Sequence, residues 1–262
     1  MLKSMLLAVV LVLPALALAQ HKTQLGDASA STTTCDVTFT SGTSTNATQF
    51  CVTANGNIAQ FSVAGGEMIA VGGVGEGYGI CDVTSGVGYF DYADGASLNW
   101  GTATLTHSGN VVTVTRQTSD GIWSLKQTIT NVPATATGPG SAKVSMAIKN
   151  LSATTRSGYI MRYADVDADG DATGNDFDYT GQTAFGLEPH GQRGLSITNN
   201  TFNINLGQDT YTQELQSGPV PCEPFALLAP QPFHGDGSIV QFWSFTATKN
   251  STKTVVSTYK PI

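Results

Sequence analysis

The chain has 262 residues, a formal net charge of −7 and only 12% charged residues. That acidic balance, with no basic cluster along the sequence, argues against a nucleic acid partner. The 29 glycines, the abundant Ser, Thr and Asn, and the scarcity of Glu, Lys and Arg disfavour long surface helices and favour short strands joined by turns.

The N-terminus reads as a secretory signal peptide over residues 1–19. Lys3 supplies the positive end, Met5 to Leu13 is an uninterrupted apolar run, Pro14 ends it, and Ala17-Leu18-Ala19 is a small-x-small cleavage site. The run is short for a membrane span, and no later segment is apolar enough to cross a bilayer. Residues 20–34 carry no apolar periodicity and read as a flexible leader. The expected localisation is therefore secreted, periplasmic or at the cell surface.

Four cysteines follow: Cys35, Cys51, Cys81 and Cys222. In an exported chain they read as two disulfides, for which three connectivities exist. Cys35–Cys51 across a hairpin with Cys81–Cys222 closing a long loop is the favoured pairing. A four-cysteine zinc site is disfavoured because no C-x2-C pair occurs.

From Cys35 onward strand signals recur at short intervals. Asn55-Gly56 is a tight hairpin turn between Phe50–Ala54 and Asn57–Val63. Met68–Val71, Tyr78–Asp82, Gly86–Tyr92, Thr102–Thr106 and Val111–Thr115 follow. Ile122–Asn131 and Lys143–Asn150 alternate with period 2, which predicts one core face each. The Pro/Gly/Ala/Thr stretch 133–140 between them is read as a long hairpin loop; a boundary between two domains near residue 135 is the alternative. Arg156–Ala164 is expected to put Tyr159, Met161 and Tyr163 on one face. Thr183–Leu187, Leu195–Thr198, Phe202–Leu206 and Thr210–Gln213 come next. A proline-rich segment surrounds Cys222, and two long strands, Ser238–Thr248 and Thr254–Tyr259, close the chain. The expected architecture is a single all-β domain over 35–262: a large antiparallel β-sandwich of jelly-roll, concanavalin-like or super-sandwich type. The run of long amphipathic hairpins between residues 102 and 164 is similar to super-sandwiches of the galactose-mutarotase type, a likeness of fold that carries no function.

The stretch from Asp165 to Asp176 gathers five carboxylates into twelve residues: Asp165, Asp167, Asp169, Asp171 and Asp176. Crowded carboxylates repel, and a cation relieves them. D-x-D-x-D-G places carboxylates at positions 1, 3 and 5 and a turning glycine, Gly170, at position 6. The loop resembles those of EF-hands, dockerins and thrombospondin type-3 repeats. The resemblance implies calcium held by Asp165, Asp167 and Asp169, by the Asp171 carbonyl at position 7 and by Asp176 at position 12. It stops at the loop, because a strand rather than a helix leads in. Calcium is expected to be structural.

Other candidates are sparser. Glu76-Gly77-Tyr78-Gly79-Ile80-Cys81-Asp82 reads as a possible cleft, with Glu76 and Tyr78 as ligand-binding candidates, or as a bend pinned by a disulfide. Glu188-Pro189-His190 and His234-Gly235-Asp236 set a histidine near a carboxylate, so Glu76, Glu188, His190 and His234 are the acid–base candidates. Trp123 and Trp243 read as core, and Trp100 as an exposed platform for a sugar ring. No nucleophile elbow, phosphate loop or zinc-protease motif occurs. Three functions fit: a calcium-stabilised binding or surface-structural module with carbohydrate as ligand; a carbohydrate-active hydrolase or lyase; a non-catalytic bacterial surface or matrix protein.

Overall fold

A computed structural model of the chain describes residues 34–71, 75–93, 97–189, 193–201, 208–213, 221–223 and 232–262. The signal peptide, most of the leader, Phe202–Leu206 and His190 lie outside the described residues. The strands are β1 (Val37–Ser41), β2 (Thr48–Val52), β3 (Ile58–Val63), β4 (Gly66–Glu67), β5 (Glu76–Asp82), β6 (Val87–Tyr92), β7 (Ser97–Leu98), β8 (Thr104–Ser108), β9 (Val111–Gln117) and β10 (Trp123–Val132). They continue with β11 (Ser141–Asn150), β12 (Arg156–Val166), β13 (Asn175–Thr180), β14 (Thr183–Leu187), β15 (Gly194–Asn199), β16 (Gln208–Gln213), β17 (Phe233–Gly235), β18 (Gly237–Ala247) and β19 (Thr252–Pro261). Met68–Val71 does not continue β4 as a strand. The Met68 amide still donates to the Phe61 carbonyl of β3 at 2.8 Å, and the Ile69 amide turns onto the Glu67 carboxylate at 3.4 Å.

Every strand pair among the described residues is antiparallel. A nine-stranded sheet runs β17-β13-β14-β15-β19-β11-β10-β9-β8, a six-stranded sheet β16-β18-β12-β5-β6-β7, and a small sheet β1-β2-β3-β4. This is the expected all-β sandwich. β10 and β11 pair along their full length, Trp123 with Asn150 through Val132 with Ser141, so residues 133–140 close a long hairpin.

Period 2 builds the core. On β10, Trp123, Leu125, Gln127 and Ile129 are buried while Lys126 is exposed; on β11, Val144, Met146 and Ile148 do the same. They meet Tyr78, Ile80, Ile160, Ala164, Ile239 and Trp243 from the six-stranded sheet, and Phe50, Ile58 and Phe61 of the small sheet join the same cluster. β12 and β18 lie side by side and are buried on both faces, because Met161, Tyr163, Val240 and Phe242 form a second cluster with Tyr92. The face of β12 that the sequence points to, Tyr159, Met161 and Tyr163, is therefore the one away from the main core. Trp123 and Trp243 are core residues, as expected.

Both favoured disulfides form, Cys35–Cys51 with Cα atoms 5.4 Å apart and Cys81–Cys222 with 4.8 Å. Two such bonds, with no free cysteine among the described residues, belong to an oxidising, extracytoplasmic setting. No described helix is long and apolar enough to cross a membrane.

Candidate metal centre

β12 runs into the acidic stretch at the point where β18 begins. The ladder pairs Asp165 with Ser238 and Val166 with Gly237, so the next step brings Asp167 beside Asp236. Residues two apart share a face, which aims Asp165 and Asp167 the same way. One carboxylate oxygen from each of Asp165, Asp167 and Asp236 lies within 4.8 Å of the other two, with Asp165 buried and the other residues half-buried. Oδ1 of Asp167 is enclosed and accepts no hydrogen bond. Burial, followed by the charges of Asp236, Asp171 and Glu67, pushes the Asp167 carboxyl up to about 6. Like charges set opposite each other in a ladder destabilise it, and a shared cation reverses the sign. An all-oxygen donor set suits a hard cation. The cluster can hold a metal ion.

The other acids of the stretch are engaged elsewhere. Asp169, at φ 61°, forms an ion pair with Arg193. It sits so close over Gly66 that a Cβ there would overlap its carboxylate. Asp171 accepts hydrogen bonds from the Thr173 and Gly174 amides, at 2.9 and 3.2 Å, and from the Thr173 hydroxyl. The Thr173 amide is the largest of the influences that lower its pKa. The Asp171 carbonyl accepts from Asn175 Nδ2 at 2.5 Å, and Asn175 Oδ1 accepts from the Ala168 amide at 3.1 Å. The loop is thus sewn shut by fully buried Asn175, which its ligand spacing gave no reason to single out. Asp176 pairs with His234 Nδ1 at 2.8 Å across β13 and β17. Of the five acids in the stretch, Asp165 and Asp167 converge, and the third partner, Asp236, comes from the β17–β18 turn.

Glu76 and Tyr78 sit inside the sandwich rather than in a cleft. Glu76 is fully buried and ion-paired with Arg162 at 2.7 Å. It accepts hydrogen bonds from the Tyr259 hydroxyl and the Ile58 amide, both at 2.8 Å. Arg162 donates to Tyr259 Oη and Gln127 Oε1. Burial pushes the Glu76 carboxyl above its ordinary value, with Arg162 and Tyr259 pulling against it. Next to this pair, Arg116 donates to Tyr78 Oη at 2.8 Å and bridges to Asp91 at 2.7 Å. The Asn55-Gly56 turn caps the layer: the Asn55 carbonyl accepts from Tyr78 Oη and Gln127 Nε2, and the Gly56 carbonyl from Arg162. A Cβ on Gly56, at φ +89°, would come within 2.4 Å of Gln127, so only glycine lets the turn seat this deeply. Trp100 is half-buried, with the Arg116 guanidinium 5.0 Å from its ring and Tyr78 against its edge. It is packed rather than free to stack on a ligand.

Glu188 follows β14, its amide bonded to the Arg193 carbonyl. His234 lines an open groove of about 460 Å³ at the sheet edge, together with Asp176, Asp178, Phe185, Pro232 and Phe233. Phe233 stacks on buried Phe177 with centroids 4.8 Å apart.

No protein-family model and no curated protein sequence matches the chain. Solved structures do resemble it. A bacterial glucoamylase complexed with acarbose superposes with TM-score 0.59 at 7% identity, over 88% of this chain and 32% of that one. A mutant of the heparan sulfate lyase HepC from Pedobacter heparinus gives 0.50 at 13%, over 86% and 34%. A galactose mutarotase-like protein from Lactobacillus casei gives 0.47 at 9%, over 86% and 100%. The chain spans about a third of the length of the glucoamylase and the lyase. The likeness is one of fold: a β-sandwich of a kind found in carbohydrate-related proteins.

Proposed function

We propose that the chain is an exported, calcium-stabilised β-sandwich that binds carbohydrate and does not transform it. The observation that carries the calcium reading is the convergence of Asp165, Asp167 and Asp236. Calcium takes its ligands from carboxylate and carbonyl oxygens, the donor chemistry this cluster offers. Affinity of extracellular grade, about 10⁻⁴–10⁻³ M, makes the ion a fastening that stabilises the folded state by mass action.

The carbohydrate part is supported by neighbours whose names are those of carbohydrate-acting proteins, and by the groove at the sheet edge. There Phe185 and Phe233 offer half-buried rings, and Asp178 and His234 offer polar groups to hydroxyls. Binding is favoured over catalysis because Glu76 is sealed from solvent by Arg162, Tyr259 and the Ile58 amide. A general acid must reach its substrate.

A glycan array and a hydrolysis screen on the purified chain test this. Glycan retention that Phe185→Ala weakens, with no release of reducing ends, is the expected result. Reducing ends or unsaturated sugars appearing in the screen would overturn the non-catalytic reading. Absence of any retained glycan would leave a surface or matrix protein instead.

A further inference from the structure

The chain carries net charge −7, yet its fold sorts the charges by sign. All four arginines are ion-paired with carboxylates: Arg116 with Asp91, Arg156 with Asp82, Arg162 with Glu76 and Arg193 with Asp169. Six exposed lysines make no ion pair with any described residue: Lys249 and Lys253 near the β18–β19 turn, and Lys126, Lys143, Lys149 and Lys260. The last four form the tract. The ladder puts all four on the outer face of three adjacent strands, β10, β11 and β19. Lys149 pairs with Ser124, two residues from Lys126; Lys143 pairs with Thr258, two residues from Lys260. Each couple is a diagonal neighbour pair, about 7–8 Å apart. The two couples lie about 20 Å apart along β11.

The remaining outward positions of β8, β9, β10, β11, β19 and β15 are mostly hydroxyls, interrupted by Val111, Gln117, Val132, Ala147 and Val256. Thr104, Thr106, Thr113, Thr115, Thr128, Thr130, Ser145, Thr254, Thr258, Ser196 and Thr198 lie on this face, and no carboxylate does until Asp176 and Asp178 on β13. Like charges as sheet neighbours cost stability unless something of opposite sign lies over them. In an acidic protein, a carboxylate-free tract with two lysine couples is complementary to a polyanion.

We infer that the outer face of β10, β11 and β19 binds a linear acidic polysaccharide, sulfated or uronate-bearing, whose charges meet the two lysine couples while its hydroxyls meet the Thr and Ser ladder. The chemistry favours this over nucleic acid. The tract has no aromatic ring for bases to stack on and no arginine fork for phosphates. The inference rests on the carbohydrate reading for the ligand class; its lysines share the outer sheet face with the groove, where Phe185 pairs with Ser196 and Ser196 with Lys260, but none of them lines it.

The test is direct binding of the full chain to chondroitin sulfate and polygalacturonate, with dextran, duplex DNA and phosphatidylglycerol vesicles as controls, at low and at physiological salt. Acidic polysaccharide should bind, more weakly as salt rises. The double variants Lys126→Gln/Lys149→Gln and Lys143→Gln/Lys260→Gln should each lower affinity about tenfold. Arginine at the same positions should retain it, and the melting temperature of each variant should stay that of the wild type. Equal binding of dextran, with lysine variants indistinguishable from wild type, overturns this inference and leaves the carbohydrate reading standing. Failure of every glycan overturns both. Preference for DNA or vesicles over the polysaccharides overturns the assignment of the face.

Discussion

Replacing Glu76 with Gln keeps the shape of the side chain and removes its charge. Arg162 then remains fully buried with its guanidinium held by Tyr259 Oη, Gln127 Oε1 and the Gly56 carbonyl, all neutral acceptors. Breaking a buried ion pair from one side costs about 3–5 kcal/mol, because the surviving charge stays desolvated. Tyr259→Phe removes a neutral hydroxyl that donates to Glu76 and accepts from Arg162, and should cost less, about 1–3 kcal/mol. Urea denaturation read at constant m separates the two, with Glu76→Gln moving the midpoint further. In the double variant the losses should fall short of additive, since both act on one network. A Glu76→Gln loss below about 1 kcal/mol, or one smaller than that of Tyr259→Phe, would mean that the carboxylate is not the counter-charge of Arg162, and the account of the interior layer would fail.

Other outcomes follow from the same geometry. Replacing Cys81 and Cys222 together by Ala should lower stability by about 2–5 kcal/mol, measured by the same denaturation, because the bond closes a sequence separation of 141 residues. Asn175→Ala, which frees the Asp171 carbonyl and the Ala168 amide, should cost about 1–3 kcal/mol and speed amide exchange across residues 167–171. Asp120 gives a pH signature. Burial raises its pKa, but hydrogen bonds from the Thr118 and Tyr89 hydroxyls and the Ile122 amide outweigh that and hold it below its ordinary value. Its contribution is therefore present above the unfolded carboxylate pKa and lost as pH falls through the folded value. The gap between wild type and Asp120→Ala, about 1 kcal/mol at pH 6, should close toward pH 3; a gap unchanged with pH would contradict it.

The strands were legible because alternation is local. Trp123, Leu125 and Ile129 on β10 and Val144, Met146 and Ile148 on β11 announce one core face within each segment, and the Asn55-Gly56 turn announces a hairpin. What lies inside the sandwich was not legible. Gln127, Arg162 and Glu76 occupy core-facing positions, but a polar residue in an alternating stripe carries no mark of the partner that neutralises it. Arg162 finds Glu76 and Tyr259 only after β5, β12 and β19 are brought together. The metal cluster was half legible for the same reason. The D-x-D spacing points to Asp165 and Asp167, but Asp236 enters from a turn far along the chain. The lysine tract is the converse case: its residues are scattered in sequence and meet only through strand order, so a reading of charge along the chain sees no basic patch.

A cation shared by Asp165, Asp167 and Asp236 would tie the end of β12 to the start of β18. Thermal melts of the wild type, Asp236→Asn and Asp176→Asn, each in 5–10 mM calcium (about tenfold over the weaker affinity expected of an extracellular site) and in chelator, test it most directly. Calcium should raise the melting temperature of the wild type and of Asp176→Asn alike, and should leave Asp236→Asn unmoved. A calcium shift that survives Asp236→Asn but vanishes with Asp176→Asn would place the ion in the linear loop instead. A wild type that melts identically in calcium and chelator would contradict the metal centre altogether.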